Sequence, residues 1–326
     1  MKTAVLICTF IILCLPALPE SGGTVRPAGH LTFASHWLPQ AQFAGYYVAK
    51  DKGFYSEAGL NVDITHATAS IDAPSLLASG KADIISLFLI TGIAVRESGM
   101  DLMHFGQISQ HSAIMLVARK SSGIRNVRDL DGKKIGIWKT GFDEVPRALI
   151  TREGLNVQWI PVLATVNLFL MNGIDAMTVM WYNEYHQIYL SGINEDELTP
   201  FFLSEYGLDI PEDGLFCLSS TMQTRKDDLR KFLQATLKGW EYAASHRDET
   251  LNIVEERMNK AHVPCNRAHQ SWMLDKMIRL ITPGEKQVSQ GRLLEQDYRN
   301  AWDVLHPGGN ESTRLPYRAF HFSLMD

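Results

Sequence analysis

The sequence predicts two α/β lobes, each a sheet with flanking helices, with a ligand cleft between them. Three observations carry this expectation. The tetrapeptide Gly-Leu-Asn-Val occurs twice, at 59–62 and at 154–157. Around each copy the hydrophobic pattern follows one order: strand, loop, helix, the tetrapeptide, strand, helix, Gly, Asp, strand. The chain has 326 residues, room for about two domains at ~150 residues each.

In the first unit, 31–35 reads as a short strand and 42–52 as a helix stopped by Gly53. A further turn at 55–58 ends at Gly59, which fits a left-handed helix cap, and a strand runs on to 64. A helix at 73–79 stops at Gly80, and Asp83 leads into an apolar strand at 84–88. In the second unit 134–138 is a strand, and Pro146 sits in the first turn of a helix over 146–153. A strand at 157–162, a helix at 166–172 stopped by Gly173, and a strand at 176–180 after Asp175 complete the copy. Strands alternating with helices imply parallel sheets covered on both faces.

Two apolar runs, 112–119 and 215–221, flank the second unit and are expected to pair as adjacent crossings at a hinge. Beyond Thr224 the periodicity is helical over 226–245, 248–259, 266–280 and 291–304, and these helices are expected on the first lobe. The tail from His306 reads as a surface loop. The expected division is therefore 29–112 with 220–326 as a discontinuous first lobe, and 113–219 as the second lobe with the hinge crossings.

With 45% hydrophobic and 21% charged residues, the composition is that of a globular chain, not a disordered one. A net charge of -5 leaves no basic surplus for phosphates, so nucleic acid is not expected as a partner. Residues 1–23 read as a secretory signal peptide: Lys2, an apolar run at 4–15, then Pro16 and Pro19. The run is short for a membrane span, and a membrane anchor is the alternative. A periplasmic or extracytoplasmic location follows from the leader reading. Cys8 and Cys14 leave with the leader, and Cys217, inside the apolar run 215–218, reads as a buried free thiol. An oxidising compartment allows Cys217 to pair with Cys265. No CxxC, HExxH or close Cys/His cluster occurs, so neither metal nor cofactor is expected.

In open α/β lobes ligands bind at the carboxyl ends of strands. That rule selects the loops 35–42, 86–91, 107–111, 138–143 and 181–184. They carry Trp37, Gln42, Phe88, Gln110, His111, Trp138, Phe142, Trp181, Tyr182, Asn183 and Glu184. Flat rings with a few hydrogen-bonding groups and one carboxylate suit a planar, polar heterocycle. Duller roles compete: core packing for the tryptophans and phenylalanines, a helix start for Asn183 and Glu184, a hinge for His111.

Trp37-Leu38-Pro39-Gln40-Ala41-Gln42-Phe43-Ala44-Gly45-Tyr46-Tyr47-Val48-Ala49, then Gly53-Phe54-Tyr55-x-x-x-Gly59-Leu60-x-Val62, resembles the start of the periplasmic binding proteins for thiamine-pyrimidine precursors. These stand with the nitrate, sulfonate and taurine binding proteins of ABC importers. Gly173-Ile174-Asp175-Ala176, followed by Trp181-Tyr182-Asn183-Glu184, resembles the second-lobe signature of that group. The resemblance covers most of residues 30–245. It implies a type II periplasmic binding protein, not an enzyme, that closes on a small molecule and passes it to a membrane permease and its ATPase. A monomer is expected. The ring-contacting roles carry over to Trp37, Trp181, Asn183 and Glu184. Gln42-Phe43 stands where the group often has Asn-His, so a phenyl replaces a ring-binding imidazole and the heterocycle stays open. The cysteine-rich motif of eukaryotic relatives that make the pyrimidine is not found. A small anion such as a sulfonate or nitrate is the alternative ligand. A secreted enzyme on the same scaffold, or a sensory input module, are further alternatives.

Overall fold

The computed structural model describes residues 29–68, 70–138, 143–163, 165–284, 286 and 289–325. The leader read at 1–23 and the candidate Phe142 lie outside the described residues. The chain first lays down β1 (His30–Ser35), α1 (Ala44–Asp51), α2 (Phe54–Glu57), β2 (Asn61–His66), α3 (Ala73–Ala78), β3 (Ile84–Phe88), α4 (Leu89–Glu97) and β4 (Leu102–Gln107). It crosses over and adds β5 (Ile114–Arg119), β6 (Lys134–Trp138), α5 (Glu144–Arg152), β7 (Gln158–Val162), α6 (Asn167–Leu170), β8 (Ala176–Met180), α7 (Glu184–Leu190) and β9 (Leu198–Phe202). It returns with β10 (Asp213–Leu218), followed by α8 (Ser219–Ser245), α9 (Arg247–Lys260), α10 (Arg267–Ile281), α11 (Glu295–Leu305) and α12 (Tyr317–Phe320).

Two five-stranded sheets result, in the orders β2-β1-β3-β10-β4 and β7-β6-β8-β5-β9. The duplicated pattern is real: β1, β2 and β3 in one sheet match β6, β7 and β8 in the other, and each trio is parallel. Gly59 and Gly154 adopt φ of 76° and 67°, the left-handed conformation that a side chain resists. The central strands β3 and β8 are buried at every position, as strands covered on both faces must be.

Three expectations need correction. The sheets are mixed, not purely parallel: β10 runs antiparallel between β3 and β4, and β5 antiparallel between β8 and β9. Both strands enter from the crossings, at the carboxyl ends of the parallel trios, with Asp213 beside Phe88 and Ile114 beside Met180. A strand entering from that end has to run against its neighbours. The runs 112–119 and 215–221 therefore do not pair with each other; β5 belongs to the second sheet, β10 to the first, and residues 219–221 already begin α8. The adjacent segments are those just before them. Ile108 and Ser109 N–H both donate to the Asp213 carbonyl, at 2.9 and 3.1 Å, and Ser112 N–H donates to Asp209 Oδ1 at 2.8 Å. Third, the tail after His306 is not all surface. Phe320 and His321 are buried, and His321 Nδ1 lies 2.7 Å from His104 Nδ1 of β4.

The late helices pack mainly on the first sheet's layer. α8 crosses α1 where Gly45 and Gly239 meet; a Cβ on Gly239 would stand 2.1 Å from the Gly45 carbonyl oxygen. α9 also lies on α1, and α10 on the turn at 41–43. Cys217 is buried and Cys265 exposed, and both are free thiols.

Candidate functional site

The carboxyl ends of β1 and β3 and the start of β10 meet at one point of the first sheet. His36 follows β1, and its Nδ1 lies 2.9 Å from Ser86 Oγ, which also accepts the His36 N–H at 3.1 Å. The other ring nitrogen, Nε2, is 3.6 Å from Asp213 Oδ1. Gln42 Nε2 donates to both Asp213 oxygens at 3.2 Å, and Gln42 Oε1 accepts from Gln40 Nε2 at 2.7 Å. The imidazole meets the rings of Phe43 and Phe88 nearly edge-on, with centroids 5.4 and 5.1 Å away. Burial pushes His36 down to about 3, so the ring is neutral. Burial lifts Asp213 to about 7 against the opposing pull of the Gln42 amide.

The second sheet contributes the turn between β8 and α7. Glu184 is 4% exposed; its Oε2 accepts the Met180 N–H at 3.0 Å and its Oε1 accepts Asn183 Nδ2 at 2.9 Å. Burial outweighs these bonds and raises its carboxyl to about 7. The Asn183 side chain does not cap α7; its Oδ1 accepts from Gln187 Nε2 at 3.0 Å. Tyr182 is buried, and its hydroxyl is held well above the usual tyrosine range by burial and then by the charges of Glu212, Asp213 and Glu184. One buried phenol thus feels the charges of three carboxyl groups drawn from both sheets and the crossing.

Glu212 ties the crossing itself. Its Oε1 accepts the Ala113 N–H at 2.5 Å, the Ser112 hydroxyl at 3.0 Å and the Ile114 N–H at 3.2 Å. Burial still holds it well above the ordinary carboxylate range. Among the described residues no Lys or Arg forms an ion pair with Glu184, Glu212 or Asp213.

The structure therefore brings Gln42 and Phe88 to Asp213, and Tyr182 feels the charges of both Asp213 and Glu184. Gln110 and His111 lie in the crossing. Gln110 Nε2 donates to the Gln107 and Arg292 carbonyls, while its Oε1 is buried without a partner. His111 contacts Asp209 Oδ2 at 2.8 Å and the Pro283 carbonyl at 3.1 Å. Both partners only accept, so the protonated ring satisfies both contacts, and the Asp209 bond raises the His111 pKa. Trp37 is 42% exposed beyond β1. The Trp181 ring stands edge-on to Phe202, with Lys276 Nζ 4.7 Å from its centroid. Trp138 ends β6 beside Val162. His36, Ser86, Glu212 and Asp213 were missed by sequence reasoning. The available signal was the acidic pair Glu212-Asp213 leading straight into an apolar strand.

A model of the family described as NMT1/THI5 like matches residues 40–250. The chain belongs to the NMT1/THI5-like family. A putative thiamine biosynthesis protein of Haemophilus influenzae is 23% identical over 273 residues, 82% of this chain and 84% of that one. The formylaminopyrimidine-binding protein of Halalkalibacterium halodurans is 24% identical over 239 residues, 70% of each chain. A stretch of 106 residues is 28% identical to the 4-amino-5-hydroxymethyl-2-methylpyrimidine phosphate synthase of Schizosaccharomyces pombe, covering 32% of this chain and 31% of that enzyme. The periplasmic aliphatic sulphonate binding protein of Escherichia coli has the same fold, with a TM-score of 0.67 at 14% identity over 90% of this chain and 92% of that one. The resemblance read from the loops at 37–62 and 173–184 is thus a family membership. The fold of this NMT1/THI5-like chain is that of type II periplasmic binding proteins.

Proposed function

We propose that this NMT1/THI5-like protein is the solute-binding component of an ABC importer, working outside the cytoplasm. Its cleft closes on a small planar heterocycle that carries an amino group or a protonatable ring nitrogen, the class of the thiamine pyrimidine precursors. The expected second lobe, 113–219, is shortened in this reading because β10 joins the first sheet: the lobes are 29–107 with 213–325, and 114–202, joined by the crossings between them.

The observation that carries this reading is the burial of three carboxyl groups, Glu184, Glu212 and Asp213, none of them paired with a Lys or Arg among the described residues and all acting on the buried Tyr182. Burial disfavours their charged forms, and a ligand that brings an N–H donor or a positive charge offsets that cost. Charge-assisted hydrogen bonds are about twice as strong as neutral ones. An anion meets the opposite situation: carboxylates, a neutral His36 and no paired cation. The heterocycle is therefore favoured over a sulfonate or nitrate. The formylaminopyrimidine-binding relative points the same way. Phe88 and Tyr182 supply ring faces, and Gln42 holds Asp213 in place.

Isothermal titration tests the choice. The protein is titrated with 4-amino-5-hydroxymethyl-2-methylpyrimidine, with taurine and with nitrate. Saturable binding of the aminopyrimidine alone is expected. Binding of either anion with no response to the aminopyrimidine overturns the reading.

A further inference from the structure

The helix α10 packs with the first sheet's layer; Gln270 Oε1 accepts the Ala41 N–H at 2.8 Å. The same turn reaches the second sheet's cleft loop through His269 and Trp272. His269 Nε2 lies 3.0 Å from Asn183 Oδ1, and His269 Nδ1 lies 2.9 Å from His186 Nδ1. Trp272 Nε1–H donates to the Trp181 carbonyl at 2.9 Å. The His186 ring stacks on Trp272 at an interplanar angle of 9° and lies edge to edge with His269, nearly coplanar at 7°.

The proton positions along this chain follow from its far end. Asn183 faces Glu184 Oε1 with its donating Nδ2, the arrangement that the ionised, acceptor-only carboxylate requires, and so presents its carbonyl Oδ1 to the other side. Asn183 Oδ1 cannot donate, so His269 Nε2 carries the proton. Burial and then His186 lower His269 to about 4, so its ring is neutral and Nδ1 is bare. His186 Nδ1 must therefore donate to it. The polarity runs one way: His186 to His269, to Asn183, to Glu184.

We propose that His269 is a positioning residue for the ligand cleft, reaching from α10 across the cleft to orient Asn183 and, through it, the Glu184 carboxylate. The inference rests on the reading of Glu184 as a ligand contact. Gln187 Nε2 already donates to Asn183 Oδ1 from within α7, and His269 adds a second hold on the same oxygen when α10 and α7 are together, so lobe closure tightens the Asn183 amide that donates to Glu184. The needed atom is a donor at the Nε2 position. A glutamine amide reaches that position; an asparagine amide falls short, at the place of Nδ1.

The test uses His269→Ala, His269→Asn and His269→Gln. Carbon-13 carboxyl resonances follow the Glu184 titration in the ligand-free protein. Loosening the Asn183 donor, which Gln187 alone then holds, is expected to raise the Glu184 midpoint by up to roughly 1 pH unit in the Ala and Asn variants, at most the equivalent of one hydrogen bond. The Gln variant is expected to keep the wild-type midpoint. In titrations with the aminopyrimidine, the Ala and Asn variants are expected to bind about 3- to 10-fold more weakly, and Gln as wild type. Equal midpoints in all four proteins overturn the proposal. So does a Gln variant that behaves like Ala, because His269 then acts only through packing. A wild-type protein that binds no aminopyrimidine refutes the proposed function instead, and the midpoints still decide the relay.

Discussion

Replacing Asp213 with Asn keeps the shape of the side chain and removes its charge. Its backbone is held separately, by the Phe88 register and by the N–H groups of Ile108 and Ser109, so the fold does not depend on the carboxylate. An Asn oxygen still accepts from Gln42. In the folded protein Asp213 keeps its proton up to about pH 7, against an ordinary 3.8. An acid whose folded pKa is raised contributes stability that is complete below the unfolded pKa and is lost as pH rises through the folded one. At ~1.4 kcal/mol for each pH unit, the loss between pH 4 and pH 8.5 is at most about 4 kcal/mol from this group. Thermal melts of wild type and D213N at pH 5 and pH 8.5 isolate it. Both proteins are expected to lose stability on going to pH 8.5, since Glu184 is raised as well, and D213N is expected to lose less, by several degrees in Tm. Aminopyrimidine affinity is expected to fall about tenfold or more in D213N, because a charge-assisted hydrogen bond is worth ~1.5–3 kcal/mol. A D213N protein less stable than wild type at pH 8.5 refutes the reasoning; it means that Asp213 is a satisfied ion and not a buried acid awaiting a donor.

Three further outcomes are expected. Glu212→Ala strips the acceptor from the Ala113 and Ile114 N–H groups, and the urea midpoint is expected to fall by the equivalent of ~1–3 kcal/mol; an unchanged midpoint rules out the Glu212 clasp. Gly239→Ala forces a methyl against the Gly45 carbonyl where α8 crosses α1, and a loss of ~1–3 kcal/mol in chemical denaturation is expected, whereas wild-type stability would mean the helices separate freely. Small-angle scattering is expected to show a smaller radius of gyration with bound aminopyrimidine than without, because contacts to both lobes favour the closed state. No change on saturation, with a free protein that is not already compact, counts against the cleft.

The sequence by itself determined the elements and their duplication. The Gly-Leu-Asn-Val copies, the glycine stops at Gly80 and Gly173, and the apolar strands at 84–88 and 176–180 are local signals, and local backbone preference answers them directly. The loops at the strand ends were legible for the same reason, and Gln42, Phe88, Tyr182 and Glu184 came with them. Partner choice was not legible. The apolar runs ending in β5 and β10 read alike, but which sheet each joins depends on the end from which the crossing enters. The site's electrostatics were hidden too. Glu212-Asp213 looks like a solvated loop in sequence; only burial by residues distant in the chain, such as Ala113 and Gln42, turns the pair into raised acids. His269 lies 86 positions from Asn183, and their hydrogen bond exists only because α10 folds back over the cleft. Side-chain charge and hydrogen-bond polarity are set by what surrounds a group in space, and that is decided when the two sheets and the last helices come together.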